Sequence, residues 1–468
     1  NGLSNFLAIF LPKSNERSLA ITSVFMPLFT PLNTTNVFKC IAPSLHQHII
    51  VKKSMINRTI AKSPAAKDCL KILEAGLAAL NPAVAVTQTL RRQGNTLHIG
   101  EREISIAKRR IFVIGAGKAS ASLAAGVETV LGNAITDGLV IDTQPRKLKR
   151  IKILVGDHPI SSAKNVTFTK KIISLTETLG VSDIVICVFS GGGSALFTDP
   201  QIPLPDYQAL MKELLRSGAT IQELNTIRKH IDGVKGGRFA EKLFPATVIT
   251  LLVSDVVGNN LGVIASGPTV LDSTTAKDAR RILSDYGLNQ VKLTETPKET
   301  STFKKVENLL ILDSTNALTA MQTAAEALGL RAITLKDLHG EARDAGIKML
   351  AKLDKKMAVI GAGETTVTVK GHGKGGRNQE LVLGSVETLA SLKNTALASM
   401  SSDGRDNSDY AGALADETTL KRAKQLKLTP ALFLQDNNSY MFWKKINSAI
   451  KTGKTGTNIS DIMVAVRL

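Results

Sequence analysis

Cysteine is scarce: the 468 residues hold three, Cys40, Cys69 and Cys187, with no CxxC pair and no even framework. That excludes a disulfide-stapled scaffold and a thiolate metal centre, and it fits a reducing compartment. Aromatic residues reach only 4%, which argues against recognition of nucleic acid by base stacking. Long apolar runs are missing too, and none approaches the roughly 18 residues that a membrane-crossing helix needs. No His/Cys cluster has zinc spacing, and no G-x-S-x-G nucleophile elbow occurs. Acids are outnumbered, 40 Asp+Glu against 59 Lys+Arg, and the formal charge of +19 favours anionic partners: nucleotides, phosphates, carboxylates, nucleic acid or anionic membrane. Apolar side chains are plentiful, 43% of the chain, enough to bury the cores of two or three domains.

Residues 1–63 contain seven basic residues and one acid, Glu16, among many Ser and Thr. This hydroxyl-rich, acid-poor composition reads as a transit-like leader or a disordered extension, with a mitochondrial or cytoplasmic location accordingly. From Pro64 the pattern changes to Ala-, Leu-, Lys- and Glu-rich helical segments separated by β-branched runs, the signature of an α/β sheet covered on both faces. Strands are expected at 111–114, 151–155, 184–189, 247–253, 309–312, 332–335, 357–360 and 395–400. The polar stretch 290–305 marks a boundary, giving a leader over 1–63, a doubly wound domain over 64–300 and a smaller α/β domain over 301–468.

Several strands end in small or polar clusters, and in doubly wound sheets ligands bind beyond the carboxyl ends of strands. Gly115-Ala116-Gly117-Lys118-Ala119-Ser120 opens an Ala-rich helix. Its free N–H groups and Lys118 suit a phosphate or carboxylate, although a plain tight turn reads equally well. Ser190-Gly191-Gly192-Gly193-Ser194 is a second candidate nest of backbone N–H groups. Asp255, leaving an apolar strand, needs a magnesium ion, a substrate hydroxyl or a cation as partner, or else caps a turn. Residues 364–369 alternate as a strand does, and Gly371-His372-Gly373-Lys374-Gly375-Gly376-Arg377 then leads into a helix to about Leu389. Four glycines around Lys374 and Arg377 make a mobile cationic loop able to close over phosphoryl oxygens. Asp403 and Asp406 hold a cation, pair with nearby cations or serve a turn. His158 is a candidate base or a structural histidine.

Together these segments resemble the glycerate 2-kinase family that carries a C-terminal MOFRL domain. The matching stretches are VIGAGKAS (113–120), VGDHPIS (155–161), FSGGGSALF (189–197), LNTIRKHIDGVKGGRFAEKL (224–243), LLVSDVVGNNLGVIASGPTV (251–270), GAGETTVTVKGHGKGGRNQEL (361–381), SSDGRDNSDYAGA (401–413) and TGKTGTNISDIMV (452–464). They follow the family's order over nearly all of the body, and the leader lies outside them. The resemblance implies a Rossmann-like doubly wound domain and a MOFRL domain with the active-site cleft between them. It also implies ATP-dependent phosphorylation of D-glycerate at its 2-hydroxyl, with magnesium. Its active-site lysine falls on Lys118 and its arginine on Arg377. Asp255 follows as metal ligand or proton acceptor, and Gly115, Gly117, Ser120, Gly191, Gly192, Gly193, Ser194, Arg228, Glu364, Lys374 and Asp403 as substrate or nucleotide ligands. The expected partners are D-glycerate and ATP, not nucleic acid or membrane, for a monomer or homodimer. Where the family usually has acids this chain has Asn259 and Asn260, and Arg405 and Lys454 replace a small residue and a proline.

Two other readings stand beside this one. A nicotinamide-dependent hydroxypyruvate reductase would use the GxG turn and an acidic ribose ligand, for which Asp142 is the candidate, farther beyond Gly115 than the usual ~20 residues. A non-enzymatic anion-binding protein would use the excess positive charge and lose affinity steeply with salt.

Overall fold

Two six-stranded sheets organise residues 55–468, the part of the chain that the computed structural model describes. The first sheet is built from Ile111–Ala116, Asp137–Asp142, Lys152–Val155, Ile184–Phe189, Thr247–Val253 and Val306–Leu312. All of its pairings are parallel. Such strands are covered on both faces and so are apolar throughout. Ile184–Phe189 is buried at every position, as is Ile111–Ala116. In chain order the strands lie 3-2-1-4-5-6, the doubly wound order. The direction of winding reverses between Ile111–Ala116 and Ile184–Phe189, and a crevice opens beyond their carboxyl ends.

The second sheet runs Arg331–Leu338, Met357–Gly363, Asp461–Arg467, Thr395–Ser401, Gly412–Asp416, Ala449–Ile450 across its width. Only its first pair is parallel. Helices Pro64–Ala79 and Ser314–Ala327 pack on each other and on this sheet. A small antiparallel meander, Leu90–Gln93, Thr96–Ile99 and Arg102–Ser105, completes the strands.

The eight strands expected between residues 111 and 400 are present, the alternating segment 364–369 is not one, and several details differ. Val306–Leu312 is the last strand of the first sheet, so that sheet runs past the boundary expected at residue 300. Helix Pro64–Ala79 packs against the second sheet although it precedes the first. Packing also begins before Pro64. Ile56 and Ile60 are buried in the core, and the Asn57 side chain donates to Ala449 O and accepts from Lys451 N. The rest of the expected leader lies outside the described residues. Residues 364–369 form no strand; Thr366 makes one isolated bridge to Glu341, and the Glu341 carboxylate takes the Thr368 N–H and hydroxyl in place of a ladder. The helix that follows breaks at Ser385 into Arg377–Gly384 and Val386–Ala390.

Candidate active site

The turn after Ile111–Ala116 lies at the reversal of the first sheet, and its glycines serve close packing. A side-chain carbon on Gly115 would sit 1.9 Å from Val188 O, and one on Gly117, at φ +147°, 2.1 Å from Ser190 Oγ. Only glycine allows two strand ends this close. The helix N-terminus expected to be open is already satisfied. Ala119 N donates to Ser190 Oγ at 3.0 Å, Ala121 N donates to Asp142 Oδ2 at 2.8 Å, and Ser120 is buried with its hydroxyl donating to Val188 O. Ser120 therefore has no free group for a ligand. Asp142, spent on Ala121 N and Gln144 N, is equally unavailable to a ribose. What the turn presents is the Lys118 side chain, with its backbone N–H on Gly191 O at 2.9 Å.

Around Gly191 and Gly192 three functional groups meet. A side-chain carbon at Gly192 would lie 3.0 Å from Lys118 Cγ and 3.1 Å from His158 Cδ2, and one at Gly191 would lie 1.8 Å from Asp255 Oδ2. The second glycine turn thus exists because side chains cover it. Desolvation and then the Lys118 ammonium push His158 down to about 4, so its imidazole is neutral near pH 7. Desolvation raises the Asp255 carboxyl from its ordinary value, Lys118 opposes that shift, and Glu364, just past strand Met357–Gly363, adds to it. Gly193 packs on Ala265, and the Ser194 hydroxyl is 2.8 Å from that of Ser266, which donates to Asn225 Oδ1 at 2.7 Å. Ala265 and Ser266 both have left-handed backbone, φ 52° and 63°, a strain that persists where surroundings over-determine it.

On the second sheet, Arg377 opens its helix where Gly376 lies so close to Asp406 that a side-chain carbon would clash with that carboxyl at 2.3 Å. Asp406 caps the helix from outside, accepting from Asn378 N at 3.1 Å and Gln379 N at 2.8 Å. Burial pushes its carboxyl up to about 6 against those N–H donors. The Arg377 guanidinium is held by Asp461 through Nε and Nη2 and by Glu364 through Nη1. The loop before it is pinned, contrary to the mobile lid expected. Asn437 Oδ1 accepts from Lys370 N and Gly371 N, Asp436 O accepts from Gly373 N, and Tyr440 N donates to Lys374 O. Gly371, Gly373 and Gly375 lie directly on backbone and side chains of residues 436–439.

The two sheets close on one cleft of about 770 Å³. Lys118 and Asp255 line it from the first; Glu364, Arg377, Asp403, Arg405, Ser460 and Asp461 are among its lining from the second. Asp403 spends Oδ1 on the Ser401 hydroxyl and on Arg405 N. Two expected ligands stand elsewhere. Lys374 Nζ lies 4.5 Å over the Tyr440 ring. Arg228 sits half-buried on helix Ile221–His230, in electrostatic reach of Tyr207 and Lys235. Asn259 donates to Asp313, the N-cap of helix Ser314–Ala327, and Asn260 accepts from Gly262 N to close a turn. Among the described residues no three His, Cys, Asp or Glu side chains converge on a metal position. Sequence reading missed Asp461 and Asn437. Asp461 lies inside the matching stretch 452–464, just ahead of the apolar run 462–466.

Comparison with known proteins agrees with this geometry. The family described as a domain of unknown function, DUF4147, matches residues 68–300, and the MOFRL family matches residues 357–461. The chain is 36% identical to a D-glycerate 2-kinase of Thermotoga maritima over 86% of its own length and 98% of that protein. It is also 36% identical to a glycerate 2-kinase of Pyrococcus horikoshii, over 85% of this chain and 96% of the other. The crystal structure of the Thermotoga maritima glycerate kinase superposes with a TM-score of 0.78, at 34% identity, covering 86% of this chain and 99% of that one.

Proposed function

The chain belongs to the glycerate 2-kinase family, and from that premise we propose that it moves the γ-phosphoryl group of ATP to the 2-hydroxyl of D-glycerate inside this cleft. The observation that carries the reading is the meeting of Lys118, at the reversal of a doubly wound sheet, with Arg377 of the second sheet in one cavity. Phosphoryl transfer asks mainly for alignment and for neutralised charge on the phosphoryl oxygens. Lys118 makes no ion pair or side-chain hydrogen bond among the described residues, so its charge is available to the transferring group. Arg377 keeps N–H donors beyond those spent on Asp461 and Glu364 and grips an anionic group of a substrate. Asp255, raised by desolvation and set beside Lys118, accepts the hydroxyl proton. His158, neutral and packed beside Lys118, adds no competing charge.

When bound, a magnesium ion would neutralise charge on the phosphoryl oxygens. Among the described residues no cage of protein ligands converges, so the ion would come with the nucleotide, and Asp255 stays free to act as the base. The reductase reading loses its acidic ribose ligand, because Asp142 caps helix Ser120–Leu131.

The test is a coupled assay on the full chain with ATP, magnesium and D-glycerate, following ADP, beside a tube holding NADH and hydroxypyruvate. D-Glycerate-dependent ADP release with a product phosphorylated at carbon 2 is expected. NADH oxidation without ADP release would overturn the assignment.

A further inference from the structure

The Arg377 guanidinium carries five N–H donors in a rigid fork, and its two carboxylate partners are not equivalent. Asp461 closes on the Nε and Nη2 edge with a side chain only 1% exposed. It belongs to a strand bonded on both sides, to Met357–Gly363 and to Thr395–Ser401, and cannot leave without opening the sheet. Glu364 takes Nη1, and its side chain is 67% exposed. Its backbone is fixed, with Glu364 N donating to Leu338 O at 2.9 Å. Immediately before it Gly363 lies so close to Leu338 that a side-chain carbon would sit 2.2 Å from Leu338 O. Glu364 is therefore a movable carboxylate on an immovable root. It points into the cleft that Lys118 and Asp255 share, where a substrate anion must come. Exposed pairs of this kind contribute little and exchange partners readily.

We propose that Glu364 stands in for the substrate's anionic group on Arg377 and is displaced when carboxylate or phosphoryl oxygens bind, so that it lowers the apparent affinity instead of adding to it. This rests on Arg377 being the ligand of a substrate anion. The incoming oxygen exchanges one charge-assisted bond on Nη1 for another, and the net gain is the difference between them. Asp461 stays in place throughout and keeps the fork aimed. Glu364 is then an affinity-setting residue, a role opposite to the ligand role expected of it from the sequence.

The experiment uses the full chain as Glu364→Gln, alone and combined with Arg377→Ala. Inorganic phosphate binding is read by calorimetry, and KM and kcat are read for ATP and for D-glycerate. Phosphate binds the single variant tighter by up to about fivefold, the span of an exposed ion pair, and the gain disappears in the double variant. One of the two KM values falls by a similar factor, with the change carried by KM and not by kcat. Phosphate affinity that is unchanged or weaker, or a rise in both KM values, overturns the proposal. If the unsubstituted chain releases no ADP from D-glycerate, the kinase reading fails on its own, and the phosphate titration still decides the role of Glu364.

Discussion

The two cations of the cleft are built in opposite ways. Lys118 rises from a turn of the parallel sheet, with its backbone fixed to Gly191 O and no carboxylate paired to its ammonium among the described residues. Arg377 starts a helix whose cap, Asp406, and whose principal partner, Asp461, are both buried. The loop in front of it is tied down by residues 436–439. The parallel half thus offers an unspent charge, whereas the mixed half offers an aimed one. A phosphoryl-transfer site needs both: field at the transferring group and fixed geometry around it.

The comparison breaks first, and hardest, at Arg377. Arg377→Ala removes the cation and strands Asp461 in the core, so turnover should fall ~10²-fold or more, and stability should fall by about 3 kcal/mol. Both are readable, from initial rates and from urea melts. A variant that keeps its stability would mean that the Asp461 pair holds nothing together. Lys118→Ala should lose a similar ~10²-fold in turnover while melting with the parent, since no structural bond is removed. Near-normal turnover would end its assigned role, and a large loss of stability would erase the contrast with Arg377.

A smaller effect is expected at Asn437, which is buried, lines the cleft and serves the aimed half without carrying a charge of its own. Its side chain accepts from Lys370 N and Gly371 N and donates towards the Glu380 carboxylate. Asn437→Ala leaves those donors unmet, costing about 2 kcal/mol, and roughly tenfold in turnover through a displaced Arg377. Turnover unchanged at lowered stability would show that the loop need not be pinned for the arginine to work.

Much of the parallel half was legible from sequence because its signals are local. Apolar strands ending in Gly115-Ala116-Gly117-Lys118 and in Ser190-Gly191-Gly192-Gly193 follow the rule that ligands gather at strand ends, and Lys118 stands where that rule puts it. Sequence alone leaves a packed turn and an anion nest open at these glycines because their neighbours are distant along the chain: Val188 O, Ser190 Oγ and Asp255 fill the space beside them. The mixed half was less legible for the same reason. Asp461 reaches Arg377 across 84 positions and Asn437 reaches Gly371 across 66, and neither pairing leaves a periodic trace. Four glycines in 371–376 suggested mobility, yet Gly371 and Gly373 lie against residues 436–438, Gly375 against Ser439 and Gly376 against Asp406.

The smallest effect tests whether the two halves share one electrostatic space. Asp255 belongs to the parallel half, and its carboxyl is raised by desolvation, opposed by Lys118 and pushed further by Glu364 of the mixed half. If its carboxylate form accepts the proton, kcat/KM falls as pH drops through that raised value, placing the acid limb above the usual carboxylate titration near ~4. The sign of each substitution then follows. Glu364→Gln removes a negative charge that favours the protonated acid, so the limb moves to lower pH; Lys118→Ala removes the positive charge that favours the carboxylate, so the limb in its residual activity moves to higher pH. The shift from Glu364 should be a fraction of a pH unit, because the charge acts across a solvated cleft, and it should shrink with added salt. A limb that stays put in both variants would remove Asp255 as the titrating group, and with it the claim that a charge on one sheet tunes chemistry on the other.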